Sequence, residues 1–242
     1  YRITVLHTDD SRGGWRFIHE SLRPGQVIDV GGPRNHFSLV EANEYIFIAG
    51  GIGITPILPM LSAAGDNWTL TYGGRTRASM AYCDDLEADP RVRICPQDES
   101  GLLDLTAALG EPRPDVAVYC CGPEPLLTAV ERACADWPSG TLHVERFTAR
   151  EFDTSEDVAF DILGQRSGTR VTVSPGESAL DALAQVGVSL PYACRDGVCG
   201  SCQTRVLEGI PEHRDAMTEQ DDVTTIMPCV SRAQTPQLVL DL

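Results

Sequence analysis

The stretch YACRDGVCGSCQTRV, Tyr192–Val206, places three cysteines within nine residues, and a fourth cysteine follows downstream in MPCVS. Four residues separate Cys194 from Cys199, two separate Cys199 from Cys202, and twenty-six separate Cys202 from Cys229. In a chain without a secretion signal, clustered cysteines indicate metal ligands or reactive thiols rather than a disulfide frame. The four cysteines are therefore the first candidates for a functional site.

The first two spacings are those of the plant-type two-iron ferredoxin loop, in which thiolates hold both irons. Gly197, Gly200 and Ser201 would let the backbone wrap closely and point N–H groups at inorganic sulfide. Zinc is the alternative, because zinc sites also use a Cys-x2-Cys pair, but they usually have two separated pairs. We therefore predict a 2Fe-2S cluster, and a disulfide pair is favoured least.

The composition limits the class of protein and its partners. The chain has 242 residues, 42% of them hydrophobic and 22% charged, which favours two or more domains with buried cores. The net charge of −16 disfavours nucleic acid and anionic membranes as partners, but it is compatible with a basic surface on another protein. No apolar run or signal-peptide pattern indicates a membrane segment. We expect a cytoplasmic protein whose sequence begins inside a domain.

Apolar strands alternate with helices from residue 44 to residue 147. This pattern predicts a parallel sheet that is covered on both faces, with ligands at the carboxyl ends of its strands. The predicted strands are EYIFIAG, NWTLTYGG, VRICP, DVAVYCCG and TLHVERF.

The alternation ends at the acid-rich residues 148–156, which we interpret as a linker. Residues 157–242 then show a mixed α+β pattern, with strands VAFDILG and TRVTVSP, a helix SALDALAQVG and a last strand QLVLDL. Residues 1–39 form a third, incomplete unit with Gly-rich turns. The strands predicted for it are Tyr1–His7, Trp15–His19 and Gln26–Val30.

Residues 157–242 resemble a plant-type ferredoxin domain. The segments SCQTRVLEGIPEHRD and PCVSRAQTPQLVLDL resemble the carboxyl end of the phthalate dioxygenase reductase and vanillate demethylase reductase family. The resemblance extends to residue 1 and implies a multidomain fold. Residues 1–39 would be the carboxyl part of an antiparallel flavin β-barrel that lacks its amino part. Residues 40–147 would be an α/β parallel-sheet NAD(P) domain, and residues 157–242 an α+β ferredoxin domain of the β-grasp type.

The stretch AGGIGITP, Ala49–Pro56, follows the first strand of the sheet and opens a helix. Gly51 and Gly53 would let backbone N–H groups approach phosphates, Thr55 offers a hydroxyl, and Pro56 suits a first helical turn. A tight strand-to-helix connection is the purely structural alternative. The third glycine and the acid of the Rossmann fingerprint are missing. The turn is similar instead to that of the ferredoxin–NADP reductase superfamily, which implies that it binds the pyrophosphate of a nicotinamide dinucleotide.

The same resemblance implies further nucleotide contacts. Arg75 and Arg77 would lie near the adenosine ribose, where guanidiniums could also hold the 2′-phosphate of NADPH, so NADH and NADPH both stay open. Cys121 would be the catalytic residue that approaches the nicotinamide and flavin rings, with a small buried hydrophobe as the alternative. Phe147 is either an aromatic lining the nicotinamide site or a core residue. Gly122 and Pro123 complete the implied set.

The stretch SRGGW resembles the Arg-Gly-Gly-Ser turn whose backbone N–H groups bind the phosphate of FMN. It places Arg12, Gly13, Gly14 and Trp15 at that site, although Trp15 replaces the serine of the family and a plain hairpin turn is the alternative. The segment PRNHFSL, Pro33–Leu39, resembles the one that closes the flavin barrel. The upstream Arg-x-Tyr-Ser element of the family is absent.

A nicotinamide gives up two electrons with its hydride, whereas the cluster accepts one at a time, and a flavin can connect the two. We therefore predict an NAD(P)H-dependent oxidoreductase that passes electrons through FMN to the 2Fe-2S cluster and on to a terminal oxygenase. This partner is either a separate Rieske-type aromatic oxygenase or a haem monooxygenase fused upstream. The alternatives are a redox-sensing binding protein, and a flavin oxidase or ferric reductase with a vestigial cluster.

Overall fold

The computed structural model describes residues 2–7, 13–30, 34–148, 152–218 and 221–242. The chain divides into two compact units, Tyr1–Glu145 and Arg146–Leu242. Each unit has its own sheet and its own hydrophobic core. Among the described residues, no helix has the length and apolar character that crossing a membrane requires.

A five-stranded parallel sheet forms the centre of the first unit. Its strands are β1 (Glu44–Gly50), β2 (Trp68–Gly74), β3 (Val92–Pro96), β4 (Val116–Cys121) and β5 (Leu142–Glu145). The strand order is β3-β2-β1-β4-β5. The central strands β1 and β4 are buried along nearly their whole length, which explains why they are apolar throughout rather than alternating.

Helices cover both faces of this sheet. They are α2 (Ile54–Ala63), α3 (Cys83–Leu86), α4 (Gln97–Ser100), α5 (Leu105–Leu109) and α6 (Glu124–Ala133), whereas α1 (Gly14–Arg16) is a single turn without a buried residue. One core contains Phe47 and Tyr72 together with Ile57 of α2, and the core on the other face contains Ile48 together with Leu127 of α6. The sheet is therefore a doubly covered α/β layer, as the alternating pattern predicts.

The strand order reverses direction next to β1. The chain runs from β1 through β2 to β3 on one side, and then crosses to β4 and β5 on the other. Such a switch point leaves a crevice between the carboxyl ends of the two neighbouring strands, and ligands of open α/β sheets bind there. In this chain the crevice lies between Gly50 and Cys121, which end β1 and β4.

The second unit is a mixed sheet with one helix. Its elements are β6 (Phe160–Gly164), β7 (Arg170–Val173), α7 (Ala179–Gln185), β8 (Thr204–Glu208), β9 (Pro211–Glu212), β10 (Thr225–Ile226), β11 (Arg232–Ala233) and β12 (Gln237–Leu240). The main sheet has the order β10-β8-β12-β6-β7, with β12 parallel to β6. Ala182 and Leu183 of α7 pack with Ile162 in its core. The cysteine loop connects α7 to β8.

The strands predicted in residues 1–39 are wrong where the structure describes them. Trp15–His19 lies in α1 and in the π-helical turn Phe17–Ser21 that follows it, and neither residues 2–7 nor residues 26–30 form a strand. Alternation of apolar residues forms a strand only when a neighbouring strand pairs with the backbone and covers one face. Val27 is 90% exposed, so the described residues do not cover this segment.

Candidate iron–sulfur centre and nucleotide site

The four predicted cluster cysteines approach each other as two pairs. Cys202 Sγ lies 3.4 Å from Cys229 Sγ, and Cys194 interacts directly with Cys199. None of them forms a disulfide. Within the part of the chain that the structure describes, no three ligating side chains surround a point where one metal ion would bind. Two thiol pairs fit a two-iron cluster, because each iron takes two thiolates.

The backbone of the cysteine loop takes three left-handed turns. The φ angles are 61° at Arg195, 67° at Gly197 and 69° at Gly200. A Cβ atom on Gly197 would lie 2.6 Å from Val230 Cγ2 and 2.8 Å from Asp215 Cβ, so glycine is required there for space as well as for conformation. This winding brings backbone N–H groups toward the sulfurs, and the N–H of Asp196 donates to Cys194 Sγ at 3.3 Å.

One thiol of each pair ionises readily. The hydrogen bond with Cys229 lowers the pKa of Cys202 to about 7. Burial opposes ionisation of Cys199, but hydrogen bonds with Ser201 and with backbone groups outweigh it and lower the pKa to about 7. Burial raises the pKa of Cys194, and hydrogen bonding with Cys202 raises that of Cys229. Because iron binds the thiolate, each pair offers one sulfur that is prepared to bind.

The nucleotide loop is a 3₁₀ turn, Gly51–Gly53, between β1 and α2. Gly51 has a φ of 55°, and a Cβ placed on it would meet no atom within 4 Å. A Cβ on Gly53 would instead lie 2.2 Å from the carbonyl oxygen of Cys121. The turn is thus packed tightly against the end of β4 on one side and open on the other, where the N-terminus of α2 favours an anion.

Two hydroxyl groups hold this turn. Tyr72 Oη donates to the carbonyl of Gly51 at 3.1 Å, and Thr55 Oγ1 donates to the carbonyl of Ile52 at 2.9 Å. Burial raises the pKa of Tyr72, so its hydroxyl stays a donor. The hydroxyl of Thr55 therefore stabilises the conformation of the loop through its bond to the Ile52 carbonyl. Pro56 is the third residue of α2, where no helical partner for its missing N–H is needed.

Cys121 is the last residue of β4, and Gly122 and Pro123 follow it. Cys121 is only 1% exposed, and burial raises the pKa of its thiol, so it is a neutral SH group and not a thiolate. A Cβ on Gly122 would lie 3.0 Å from Gly50 Cα, which shows how closely the two turns approach. Cys120 packs into the core on the opposite face of the sheet, because neighbouring strand residues point to opposite faces.

Glu145 is a further candidate site residue, which the sequence alone does not single out. It ends β5 in register with Cys121, and its Oε2 atom is buried without a hydrogen-bond partner among the described residues. Burial raises the pKa of this carboxyl group. The sequence contains one signal for this residue, an acid at the end of the predicted strand LHVE. Only the fold shows that the side chain of Glu145 is buried beside Cys121.

Arg75 and Arg77 follow β2, whose carboxyl end lies beside that of β3. Arg75 is exposed, whereas the guanidinium of Arg77 pairs with Glu87 at 3.2 Å and with Glu99 at 3.4 Å. Phe147 lies two residues after β5 and is 44% exposed. The structure therefore pairs Arg77 with two carboxylates, those of Glu87 and Glu99, that the sequence alone does not connect with it.

The predicted FMN turn is only partly described. Gly13 has a φ of 113°, and its carbonyl accepts the N–H of Phe17 at 2.8 Å; Trp15 is half-exposed. A Cβ on Gly13 or Gly14 would meet nothing within 4 Å, so both glycines leave their backbone open. Arg12 and Pro33 lie outside the described residues.

Known proteins resemble the whole chain. The family of the 2Fe-2S iron-sulfur cluster binding domain matches residues 162–234. Tetrachlorobenzoquinone reductase of Sphingobium chlorophenolicum is 40% identical over all of this chain and 79% of its own length. The solved structure of phthalate dioxygenase reductase matches with 36% identity and a TM-score of 0.66, over 98% of this chain and 78% of that protein.

A further solved structure, an intact type IV self-sufficient cytochrome P450 monooxygenase, is 41% identical and has a TM-score of 0.87 over 98% of this chain. This chain spans only 32% of that protein.

A ferredoxin-type cysteine loop, in one chain with a parallel sheet whose switch point carries a glycine turn, defines an iron–sulfur oxidoreductase. The chain belongs to the phthalate dioxygenase reductase and vanillate demethylase reductase family. This confirms the predicted family, the multidomain fold class and the class of enzyme, an oxygenase reductase. The match to the cluster-binding domain favours iron over zinc. The roles of individual nucleotide and flavin residues stay predictions.

Proposed function

We propose that this protein takes electrons from a nicotinamide dinucleotide and passes them through FMN to a 2Fe-2S cluster on Cys194, Cys199, Cys202 and Cys229, and then to a terminal oxygenase. The observation that carries this proposal is the arrangement of the four thiols as two pairs in a glycine-wound loop. FMN, when bound, accepts electrons as a pair and releases them singly, which the one-electron cluster requires.

The residues of the first unit would bind and orient the nucleotide. The open side of Gly51 and the N-terminus of α2 would hold the pyrophosphate, with Gly53 packed against β4 to fix the turn. Cys121 and Glu145 would line the place of the nicotinamide ring. Because burial keeps the Cys121 thiol neutral and favours the protonated form of Glu145, this place carries little fixed charge.

The dinucleotide is NADH in this proposal. Arg77, which the family resemblance assigns to the neighbourhood of the adenosine ribose, already shares its guanidinium between Glu87 and Glu99. A phosphate would have to displace carboxylates of its own sign, whereas the ribose 2′-hydroxyl of NADH does not need the arginine.

The domains follow from the same assignment. Residues 1–39 would belong to the FMN domain, with the backbone of Gly13, Gly14 and Trp15 toward the flavin phosphate. Residues 40–147 would be the NAD domain, 148–156 the linker and 157–242 the ferredoxin domain. The nine free cysteines support a reducing compartment, and we place the protein in the cytoplasm.

Two kinds of electron acceptor fit the relatives. Several are named as reductases of dioxygenase or monooxygenase systems, and one solved neighbour is an intact type IV self-sufficient cytochrome P450 monooxygenase, of which this chain covers 32%. The acceptor is therefore a terminal oxygenase, supplied as a separate Rieske-type protein or as a fused haem domain. The net charge of −16 favours a basic docking surface on either.

Replacing one cluster ligand separates the two halves of the pathway. In Cys199→Ser we expect NADH to bleach the flavin absorbance at the wild-type rate, while electron delivery to the oxygenase is lost. Cys95→Ser, the same substitution in a strand of the nucleotide sheet, is the control and should keep both activities. Unchanged delivery in Cys199→Ser would refute the pathway and would favour a sensor or an oxidase.

A further inference from the structure

A group of polar side chains is buried near the cysteine loop in the second unit. The exposed fractions of its five residues lie between 1% and 8%: they belong to His213, Arg214, Asp215, Ser231 and Arg232. Burial of polar groups is unfavourable unless every one finds partners, so a cluster of this size indicates a specific role in structure or function. None of these five residues is one of the proposed ligands of the cluster.

The carboxylate of Asp215 is the centre of this group. Its side chain is completely buried. Oδ1 accepts the backbone N–H groups of Met217 at 3.0 Å and Thr218 at 2.7 Å, and Oδ2 accepts the hydroxyl of Ser231 at 3.0 Å. Both oxygens of the Asp215 side chain are therefore used as hydrogen-bond acceptors, and together they take three donors.

Asp215 also connects the two separate parts of the cysteine set. Its neighbour Ala216 donates its N–H to the carbonyl of Gly197, inside the loop that carries the first three cysteines. Ser231 follows Cys229 by two residues, and its hydroxyl accepts the N–H of Arg214 at 3.1 Å while donating to Asp215. The distance between the loop and the Cys229 segment is therefore held through the 214–216 backbone and one carboxylate.

The packing at Gly197 makes this connection rigid. A Cβ atom on Gly197 would lie 2.8 Å from Asp215 Cβ and 2.9 Å from its Cα. The backbone of the cysteine loop therefore rests directly on Asp215. Cys202 and Cys229 also pack against Leu180 and Met227, which leaves the pair little freedom to adjust.

We propose that Asp215 is a positioning residue of the iron–sulfur centre. Its carboxylate holds the loop of Cys194–Cys202 at a set distance from Cys229, and its buried charge lowers the reduction potential of the cluster. A fixed negative charge in a region of low dielectric opposes the arrival of an electron, and hydrogen-bonded groups outside the ligand shell tune iron–sulfur centres. The inference rests on the proposed cluster.

Asp215→Asn tests the charge, because the amide keeps the shape and one acceptor oxygen. In an anaerobic redox titration followed by electron paramagnetic resonance, we expect a more positive midpoint. At the wild-type midpoint, the ratio of reduced to oxidised cluster should rise about tenfold. Asp222→Asn is the matched control, because Asp222 also accepts three hydrogen bonds, but from Thr224 and Thr225 in its own turn. In this variant the midpoint potential of the cluster should not change.

Ser231→Ala tests the positioning without removing the charge, and it stays informative if Asp215→Asn does not fold. It breaks the bond between the carboxylate and the Cys229 segment. We expect faster loss of the cluster absorbance in the presence of an iron chelator, by about tenfold, with shifted g values. If Asp215→Asn keeps the wild-type midpoint potential, the proposed effect of the charge is wrong. If Ser231→Ala loses its cluster at the wild-type rate, the proposed positioning role is wrong. A wild-type protein without any two-iron signal refutes the proposed function instead.

Discussion

Gly53 is the position in the nucleotide turn where a side chain has least room. Its φ of −61° is ordinary, so conformation alone would allow alanine. The restriction comes from contact, because the added Cβ would lie 2.2 Å from the carbonyl oxygen and 2.5 Å from the carbonyl carbon of Cys121. Either the turn or the end of β4 has to move.

Gly53→Ala should therefore weaken the use of NADH. A displacement of the turn misplaces the phosphate-binding N–H groups, and we expect KM for NADH in flavin reduction to rise about tenfold. Gly65→Ala is the control, since Gly65 has a φ of 69° at the other end of α2 and its Cβ would meet nothing. That change should cost about 1 kcal/mol of stability and leave KM as it is. Equal KM values for both variants and the wild type would contradict the packing argument.

Glu145 gives the first unit a dependence on pH. Burial raises the pKa of its carboxyl group above the ordinary 4.5, so the folded state favours the protonated form more than the unfolded state does. Its contribution to stability is fully present below pH 4.5 and is lost as pH rises through the folded-state pKa.

Glu145→Gln should remove this loss. We expect the thermal unfolding temperature of the variant to fall less between about pH 5 and about pH 8 than that of the wild type. Glu111→Gln, at an exposed loop position, should retain the wild-type slope. Parallel curves for all three proteins would mean that Glu145 does not titrate in this range.

The residue scale shows what spacing can predict and what it cannot. The four cluster cysteines could be predicted because a loop that wraps a cluster requires fixed short spacings and glycines in the sequence itself. Glu145 and Asp215 could not, because their roles depend on burial, which arises only when distant segments pack. Arg77 was predicted, but its carboxylate partners come from two other segments.

At the scale of elements, the carboxyl ends of β2 and β3 bring together the residues to which the proposal assigns the choice of nucleotide. Arg77 follows β2, and Glu99 lies in α4 directly after β3. Because parallel neighbours end at the same edge, the two side chains meet there, with Glu87 as a third member.

Glu99→Gln should release part of the Arg77 guanidinium for a 2′-phosphate. We expect the ratio of kcat/KM for NADPH to that for NADH to rise about tenfold, since a charge-assisted bidentate contact becomes available. Glu111→Gln serves again as the control. An unchanged ratio would show that Arg77 does not face the ribose.

The parallel sheet could be predicted element by element, because strands buried on both faces are continuously apolar. Whether residues 1–39 form strands could not be predicted from apolar residues alone, since a half-exposed strand needs a neighbouring strand that the sequence does not identify. Gly13 instead caps the helical turn α1, which begins at Gly14. The short strands β9, β10 and β11 have two residues each, which is too short for any periodic signal.

At the scale of the whole molecule, one buried ion pair anchors the start of the second unit. Asp157 has a side chain that is 3% exposed, and it pairs with Arg214 at 2.6 Å and with Arg232 at 3.4 Å. Arg232 also donates to the carbonyls of Val158, Ser174 and Glu177. The chain entering the ferredoxin unit is thereby bound to the segment that follows Cys229.

Asp157→Asn should destabilise this unit by about 3 kcal/mol, because it removes the carboxylate that Arg232 pairs with and leaves Arg214 with Glu212 alone. The hydrogen bond with Arg214 lowers the pKa of Asp157, so the stability from this pair is present above the ordinary pKa of 3.8 and is lost as pH falls further. Denaturant unfolding should show that the free energy of unfolding falls at acidic pH in the wild type and not in the variant. Asp153→Asn, at an exposed position, should behave as the wild type.

The central claim is that one chain carries electrons from a nicotinamide dinucleotide to a two-iron cluster. It is tested most directly by electron paramagnetic resonance of the full-length protein, recorded anaerobically before and after NADH is added. We predict the rhombic signal of a reduced 2Fe-2S cluster after NADH and none before it. A signal that appears with dithionite but with neither NADH nor NADPH, or no signal with any reductant, would contradict the account.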